Sequence, residues 1–403
     1  MTSLPSTTHA SAISAPIDPL ATVAALRDEA ARLGFGRLGI AAAGQPPHHE
    51  AFRNWLSAGL AGVMQPWLER HEPLRQSVAA ILPGAQTVVM LAIDHGLGGG
   101  PGSEPLAPGQ GRLARYARGD DYHALLRSRL NSLAAWLEAR VPGSRARGVV
   151  DSAPLAERDF AWLAGLGWFG KNTMLIDPRA GSYFLLAALV TDLPLPPDAP
   201  LQVDHCGTCT ACLDACPTNA FPAPRVLDAS KCISALTIED HALIAAPRRA
   251  ELGAWIFGCD VCQEVCPWNR HAPGSAEPAF QPRDGHASLP LADLLALDER
   301  GFRERFHGSP ILRAKRRGLL RSAALVLGNR PHPPAFAALA AATADTDGVI
   351  RGAAAWAFGR WITAGVMATE ARGVLESRLT IEQDATVRME IDAALASGSA
   401  DEA

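Results

Sequence analysis

No cysteine occurs before residue 206 or after residue 266 of this 403-residue chain, and all eight fall in that one window. A secreted disulfide scaffold is short and spreads its bridges through the fold, so this distribution excludes one. It points to metal ligation in a reducing compartment. Apolar runs of the roughly 20 residues needed to span a bilayer are also missing. The first residues, "MTSLPSTTHASAISAPIDPL", lack a basic region, a compact apolar stretch and a twin arginine, so they read as a disordered lead-in and the chain as cytoplasmic. Charge of one sign is scarce too: the net formal charge is −4, which excludes a globally basic nucleic-acid binder and leaves only a local surface for such a partner.

Hydrophobic content of 48% is ample for a packed core, and the length suits two or three domains. From residue 21 to 198 amphipathic helices alternate with short apolar strands. The clearest are a helix at 21–33, a strand at 86–94, a long helix at 123–141 and a strand at 183–193. That alternation predicts an α/β domain. "GLGGGPGSEPLAPGQG", 96–111, reads as a flexible loop. A proline-rich segment, "DLPLPPDAPLQ", closes the domain, the cysteines occupy 199–275, and residues 290–400 read as almost wholly helical. Within that last part "LLRSAALVLGNR", "VIRGAAAWAFGR" and "TVRMEIDAALAS" align on Arg321, Arg351 and Arg388. Recurrence of this kind predicts stacked helix pairs of HEAT type, with an ordinary Ala-rich helical domain as the alternative.

"CGTCTACLDACP" spaces four cysteines as C-x2-C-x2-C-x3-C-P, the run of two-cluster bacterial ferredoxins, in which the fourth cysteine serves the other cluster. "CDVCQEVCP" follows, with Cys232 upstream of it. Crossing the fourth ligands assigns Cys206, Cys209, Cys212 and Cys266 to one 4Fe–4S cluster. Cys216, Cys232, Cys259 and Cys262 take the other. Two four-cysteine zinc sites are the alternative, although zinc ribbons favour two separated C-x2-C knuckles. The 233–258 insert has room for a helix. "VDSAPLAERDFAWLAGLGWFGKNTMLI" places Asp151 at a strand end before a turn, where loops hold chemistry. A helix N-cap is the plainer role for an aspartate there. Lys171 and Asn172 lie beside glycines that permit close backbone approach to a ligand, and a solvated loop cation is the plainer reading of Lys171.

"RYARGDDYH", "VDSAPLAER", "GLGWFGKNTMLI", "CGTCTACLDACPTNAF", "FGCDVCQEVCPWN" and "KRRGLLRSAALVLGN" occur in order along nearly the whole chain. In them the chain resembles the epoxyqueuosine reductase family. It departs from the family at Ser322, where Asn is expected after Arg321, and in "PLRQSVAA", which lacks the usual Asp-Pro. The resemblance implies an α/β cobalamin-binding catalytic domain, a ferredoxin-like domain with two 4Fe–4S clusters and an all-α HEAT-like domain that docks tRNA. It implies reduction of epoxyqueuosine to queuosine at the wobble position, the last step of queuosine biosynthesis, in the Tyr, His, Asp and Asn acceptor tRNAs. A low-potential donor would feed the clusters of a monomer. Asp151 takes the family's proton-donor role. Arg75, Tyr116, Tyr122, His123, Arg158, Lys171 and Asn172 become candidates around cobalamin or substrate. The resemblance implies a cobalt with no protein ligand, so His123 is not assigned as an axial one. Protonating an epoxide oxygen at neutral pH requires Asp151 to be held protonated by burial.

Two other classes share features. A cobalamin-dependent reductive dehalogenase also combines a corrinoid with two clusters, but would carry a twin-arginine signal. A non-catalytic iron–sulfur electron carrier would have no use for the dense 150–176 motif. For tRNA docking the sequence offers Arg313, Lys315, Arg316, Arg317 and Arg321, with Glu304 the only acid between 300 and 330. Arg313, Arg317 and Arg321, four apart, predict one basic helix face for phosphate.

Overall fold

The computed structural model describes residues 18–96 and 105–397. Its first part comprises α1 (Pro19–Arg32), β1 (Arg37–Ala42), α2 (His49–Ser57), α3 (Gln65–Arg75), β2 (Thr87–Asp94), β3 (Gln110–Leu113), α4 (Tyr122–Arg140), β4 (Ala146–Val149), α5 (Glu157–Leu163), β5 (Trp168–Phe169), β6 (Leu175–Ile176) and β7 (Phe184–Thr191). The main sheet runs β1-β2-β7-β4, antiparallel at every pairing. Helices cover both of its faces, so β2 and β7 are buried on both sides and read as continuous apolar runs.

The long helix α4 forms because Leu126, Leu130, Leu133 and Leu137 recur on one stripe, all buried. Asp121 caps its first turn by accepting from the His123 backbone N–H. The leucines pack on Val89, Leu91 and Leu189, each contributing roughly 1.5–3 kcal/mol of burial. Val88, Met90 and Val190 face the other way, onto Phe160 and Ala161 of α5. Gly148 lets β4 approach α4: a Cβ there would lie 2.5 Å from that of Leu130.

The cysteine region contains α6 (Ala211–Asp214), α7 (Ile233–Ile238), α8 (Ala246–Arg249), β8 (Trp255–Phe257) and α9 (Val261–Glu264). The insert before Cys259 therefore holds two short helices and a strand rather than one helix. β9 (Ser288–Pro290) leads into α10 (Leu291–Leu295), α11 (Glu299–Arg305), α12 (Lys315–Asn329), α13 (Phe336–Ala342), α14 (Gly348–Thr363), α15 (Ala368–Leu379) and α16 (Ala385–Ala396). β8, β3 and β9 make a second sheet in that order, which joins the α/β part, the cysteine region and the helical part. Two expectations shift here. The lead-in ends earlier, because Asp18 caps a helix beginning at Pro19, and residues 1–17 lie outside the described residues. The loop expected at 96–111 ends in a strand, since Gln110 and Gly111 pair with Pro290 and Leu289; residues 97–104 lie outside the described residues.

Buried faces of α12, α14 and α16 pack in succession, with Leu320, Ala353, Phe358 and Ile391 in one core. The recurring arginines do the same job in each unit. Arg321 donates to the carbonyls of Leu236, Asp240 and Ala242. Arg351 donates to Asp345 and Thr346, and Arg388 to Leu379 and Glu382. Each closes the carbonyl end of a preceding segment. Among the described residues no helix is long and apolar enough to cross a membrane.

Candidate active site

The two cysteine motifs fold alike: a loop, one turn of helix (α6 or α9), then Cys-Pro. Cys206, Cys209, Cys212 and Cys266 line one cavity of about 240 Å³, together with Lys171, Asn172, His205 and Trp268. Burial, and then repulsion from Cys266, Cys206 and Cys209, pushes the Cys212 thiol up to about 11. Cys216, Cys232, Cys259 and Cys262 form the second group. Burial raises Cys259 first, with the Asp260, Cys232 and Cys216 charges adding to it, and Cys262 rises with Cys259 and Cys232 beside it. The cavity lining thus contains the four cysteines of the first expected set and none of the second.

A zinc ion draws its sulfurs to about 2.3 Å from a single point, whereas thiols around a cavity suit a larger inorganic core. N–H donors reach the sulfurs: Trp168 to Cys206 at 3.5 Å and the Ala220 backbone to Cys216 at 3.4 Å. Such bonds tune cluster potential. Lys171, a candidate around cobalamin or substrate, meets the first cysteine loop. Its Nζ donates to the carbonyls of Gly207 at 2.7 Å and Cys209 at 3.0 Å, so it clamps the cluster loop. Asn172 likewise donates to the Cys262 carbonyl at 3.2 Å. Both lie in the cluster region because the β5–β6 hairpin packs there.

Asp151 stands where β4 ends, in the left-handed region at φ +49°, which Asp tolerates better than most residues. Its backbone N–H donates to Glu157 Oε1 at 2.7 Å. Its Oδ2 accepts from Tyr122 Oη at 3.2 Å and meets His123 Nε2 at 3.0 Å. His123 Nδ1 in turn lies 2.7 Å from Asp121 Oδ1. These bonds reverse one expectation: the His123 contact holds the Asp151 carboxyl below its ordinary range, and burial only opposes that. The side chain is 59% exposed, so burial is too weak to keep the proton on it. Bonds to Asp121 and Asp151 instead push His123 up to about 9, and burial lifts Glu157 to about 7.

The other predicted residues gather here. Tyr116 and Tyr122 meet edge to face at 6.2 Å. Arg75 donates to the Leu155 carbonyl at 3.1 Å, and Arg158 to that of Thr173 at 2.7 Å. Both cations feel the Glu157 and Asp151 charges. Sequence reasoning passed over Glu157 and Asp121, although both lie inside the quoted motifs, and it passed over Tyr183 and His95. The Tyr183 hydroxyl and His95 Nδ1 are buried without a hydrogen-bond partner, and their rings meet at 5.9 Å.

On the helical side the basic face is not as predicted. Arg321 is fully buried and is consumed by its carbonyl partners, so it is not a tRNA contact. Arg316 pairs with Asp345, and Arg317 with Asp347. Arg313 pairs with Glu239 at 2.8 Å. The balancing acids absent from 300–330 arrive from distant segments. Lys315 and Arg317 are exposed. Arg313 is also exposed, and its charge reaches Asp151.

A family model described as "Epoxyqueuosine reductase QueG, DUF1730" matches residues 75–152, and one described as "4Fe-4S double cluster binding domain" matches 205–269. An epoxyqueuosine reductase of Pseudomonas aeruginosa is 41% identical over 347 residues, covering 86% of this chain and 96% of its own. The Escherichia coli enzyme of that name is 37% identical over 79% of this chain and 84% of its own. A crystal structure of epoxyqueuosine reductase with an epoxyqueuosine-modified tRNA-Tyr stem loop is similar at TM-score 0.86 and 30% identity, over 95% of this chain and 100% of that one. A Bacillus subtilis epoxyqueuosine reductase with its catalytic aspartate loop swung out of the active site matches at TM-score 0.84 and 29% identity, over 94% of this chain and 100% of its own. Two cysteine sets around a cluster-sized cavity, an aspartate poised on a strained turn and relatives of this closeness over nearly full length lead to one conclusion: the chain belongs to the epoxyqueuosine reductase family.

Proposed function

We propose that this protein reduces epoxyqueuosine to queuosine at the wobble position of tRNA, in the cytoplasm, with Asp151 as the acid. The observation that carries this reading is Asp151 itself. It sits on a left-handed turn, partly open, bonded to two proton-bearing side chains, in a chain 41% identical to an epoxyqueuosine reductase. The loop carrying Asp151 is the counterpart we assign to the catalytic aspartate loop of the B. subtilis relative.

When bound, two 4Fe–4S clusters and cobalamin supply low-potential electrons, one at a time. The residues present fit both. Eight thiols stand in the cysteine region, the Tyr183 hydroxyl lies near Cys262, and that hydroxyl and His95 Nδ1 are buried polar atoms without a hydrogen-bond partner. Tyr116, Tyr122, Arg75 and Arg158 would hold the corrinoid. Lys171 and Asn172 fix the cluster loops through backbone carbonyls. Asp151 places a proton on the epoxide oxygen, which otherwise leaves poorly as an alkoxide. Arg313, Lys315 and Arg317 meet tRNA phosphate, while the unstacked wobble base enters beside Asp151.

The test is direct. Anaerobically reconstituted protein is incubated with epoxyqueuosine-containing tRNA, cobalamin and a low-potential reductant, and the digested nucleosides are weighed by mass spectrometry. Queuosine, one oxygen lighter, is the expected product. Unchanged epoxyqueuosine at full cofactor loading overturns the reading.

A further inference from the structure

Turning an epoxide into an alkene breaks both C–O bonds, forms the C=C π bond and releases the oxygen as water. It consumes two electrons and two protons. The electrons belong to the reductive reaction proposed above, on which this inference rests. The protons require a source that one carboxyl cannot be, because Asp151 is held ionised and must be supplied with each proton that it delivers. It must be refilled before the oxygen departs as water, while the substrate covers it.

We propose that Asp121, His123 and Asp151 form a proton relay that refills Asp151 within each turnover. Two hydrogen bonds carry it: Asp121 Oδ1 to His123 Nδ1 at 2.7 Å, and His123 Nε2 to Asp151 Oδ2 at 3.0 Å. The His123 Nε2–H proton passes to Asp151 Oδ2 and from there to the epoxide oxygen. The Nδ1–H remains bonded to Asp121, so the neutral imidazole keeps its lone pair at Nε2, facing the carboxyl it serves. Its edge is 29% exposed, and it recovers a proton from solvent. The second proton leaves Asp151 as the hydroxyl departs. His123 and Asp121 act through Asp151 and are positioning residues.

Among the described residues, charged and titratable groups face the relay from several elements, Tyr116 beside Tyr122 among them. Asp121 and Tyr122 come from the start of α4, and Asp151 from the loop after β4. Glu157 on α5 accepts the Asp151 backbone N–H. Arg313 acts on Asp151 from the helical side, Arg127 acts on Asp121, and Arg75 and Arg158 act on Glu157. The two carboxylates on either side of the ring dominate, and they push His123 up to about 9. The relay is thus loaded throughout neutral pH and empties as pH rises past that value.

The experiment uses cluster-bearing protein with isotopically labelled histidine, titrated by NMR, with the His123 signal assigned as the one lost in His123→Gln. His123 should titrate near 9 in the parent. Asp121→Asn still caps α4 but removes the charge, so it should bring the titration down toward the ordinary 6.5. The alkaline limb of turnover with epoxyqueuosine-containing tRNA should fall by the same amount. His123→Gln should slow turnover on the order of 10²-fold, with tRNA affinity unchanged. A parent His123 titrating near 6.5, or an alkaline limb that stays in place in Asp121→Asn, overturns the relay. A parent making no queuosine overturns the proposed function instead, and the NMR titration is read independently of it.

Discussion

Asp151 is the residue on which chemistry and geometry meet. Its carboxyl is held ionised by His123 rather than protonated by burial, so in the proposed reaction the acid is a proton shared between the two side chains. Asp151→Asn keeps the bonds to Tyr122 and His123 but has no proton to give. Turnover should fall by about 10²-fold or more, with cluster and corrinoid content unchanged, as checked by single-turnover assays at matched cofactor loading. Normal turnover in that variant removes Asp151 from the acid role. Much at this scale was legible in the sequence. Asp151, Tyr122 and His123 sit in short motifs where local spacing decides what meets, and the eight cysteines carry their grouping in their intervals. The partners of Lys171 and Arg321 were not legible, for one reason. A cation's role depends on which carbonyls and acids come near it, and those lie far off along the chain: Gly207 for Lys171, Leu236 for Arg321, Asp347 for Arg317. The recurrence of Arg321, Arg351 and Arg388 was itself a sign of a structural task, because a repeat position serves the repeat.

Among the elements, the long ones were readable and the short ones were not. Helix α4 announces itself through four leucines at helical spacing. Strands β3, β8 and β9 span three or four residues each, and such strands exist only because partners arrive from elsewhere. In the helical stack the binding element is the turn between α15 and α16. There Glu382, whose side chain is 1% exposed, takes bonds from Arg351 and Arg378 and from the Gln383 and Asp384 backbone N–H groups. The Arg351 bond leads in holding its carboxyl down to about 2, against an ordinary 4.5. A depressed carboxylate contributes its full stability above the unfolded value. That contribution should therefore drain away as pH falls from about 4.5 toward 2. Glu382→Gln leaves two guanidinium groups without their charge partner, and should cost about 3 kcal/mol in chemical denaturation at neutral pH. A variant that unfolds at the parent's denaturant midpoint would show the pairing to be idle.

At the scale of the whole molecule, the crossed cysteine sets and the basic face each make a prediction. Cys216 is a sequence neighbour of Cys212, yet it groups with Cys232, Cys259 and Cys262. Cys216→Ala should therefore remove the cluster of that second set and leave the Cys206, Cys209, Cys212 and Cys266 cluster intact. Iron analysis and electron paramagnetic resonance of the reduced protein can tell the two apart, and survival of the second-set signal alone would show that the ligands do not cross. On the docking face, Lys315→Ala with Arg317→Ala should weaken tRNA binding. Each lost phosphate contact should flatten its log–log salt dependence by about 0.7–0.9. Identical slopes in variant and parent would place the tRNA elsewhere.

The small sheet of β8, β3 and β9 also fixes an order of events during synthesis. Strand β3 pairs with β9, which begins about 175 residues after it ends, from Leu113 to Ser288. At roughly 5–20 residues per second, a ribosome needs on the order of 10–35 s to supply that partner. All eight cysteines are synthesised in that interval, so β3 lacks one neighbour until the whole cysteine region has been made, and the sheet that joins the three parts is the last of them to close.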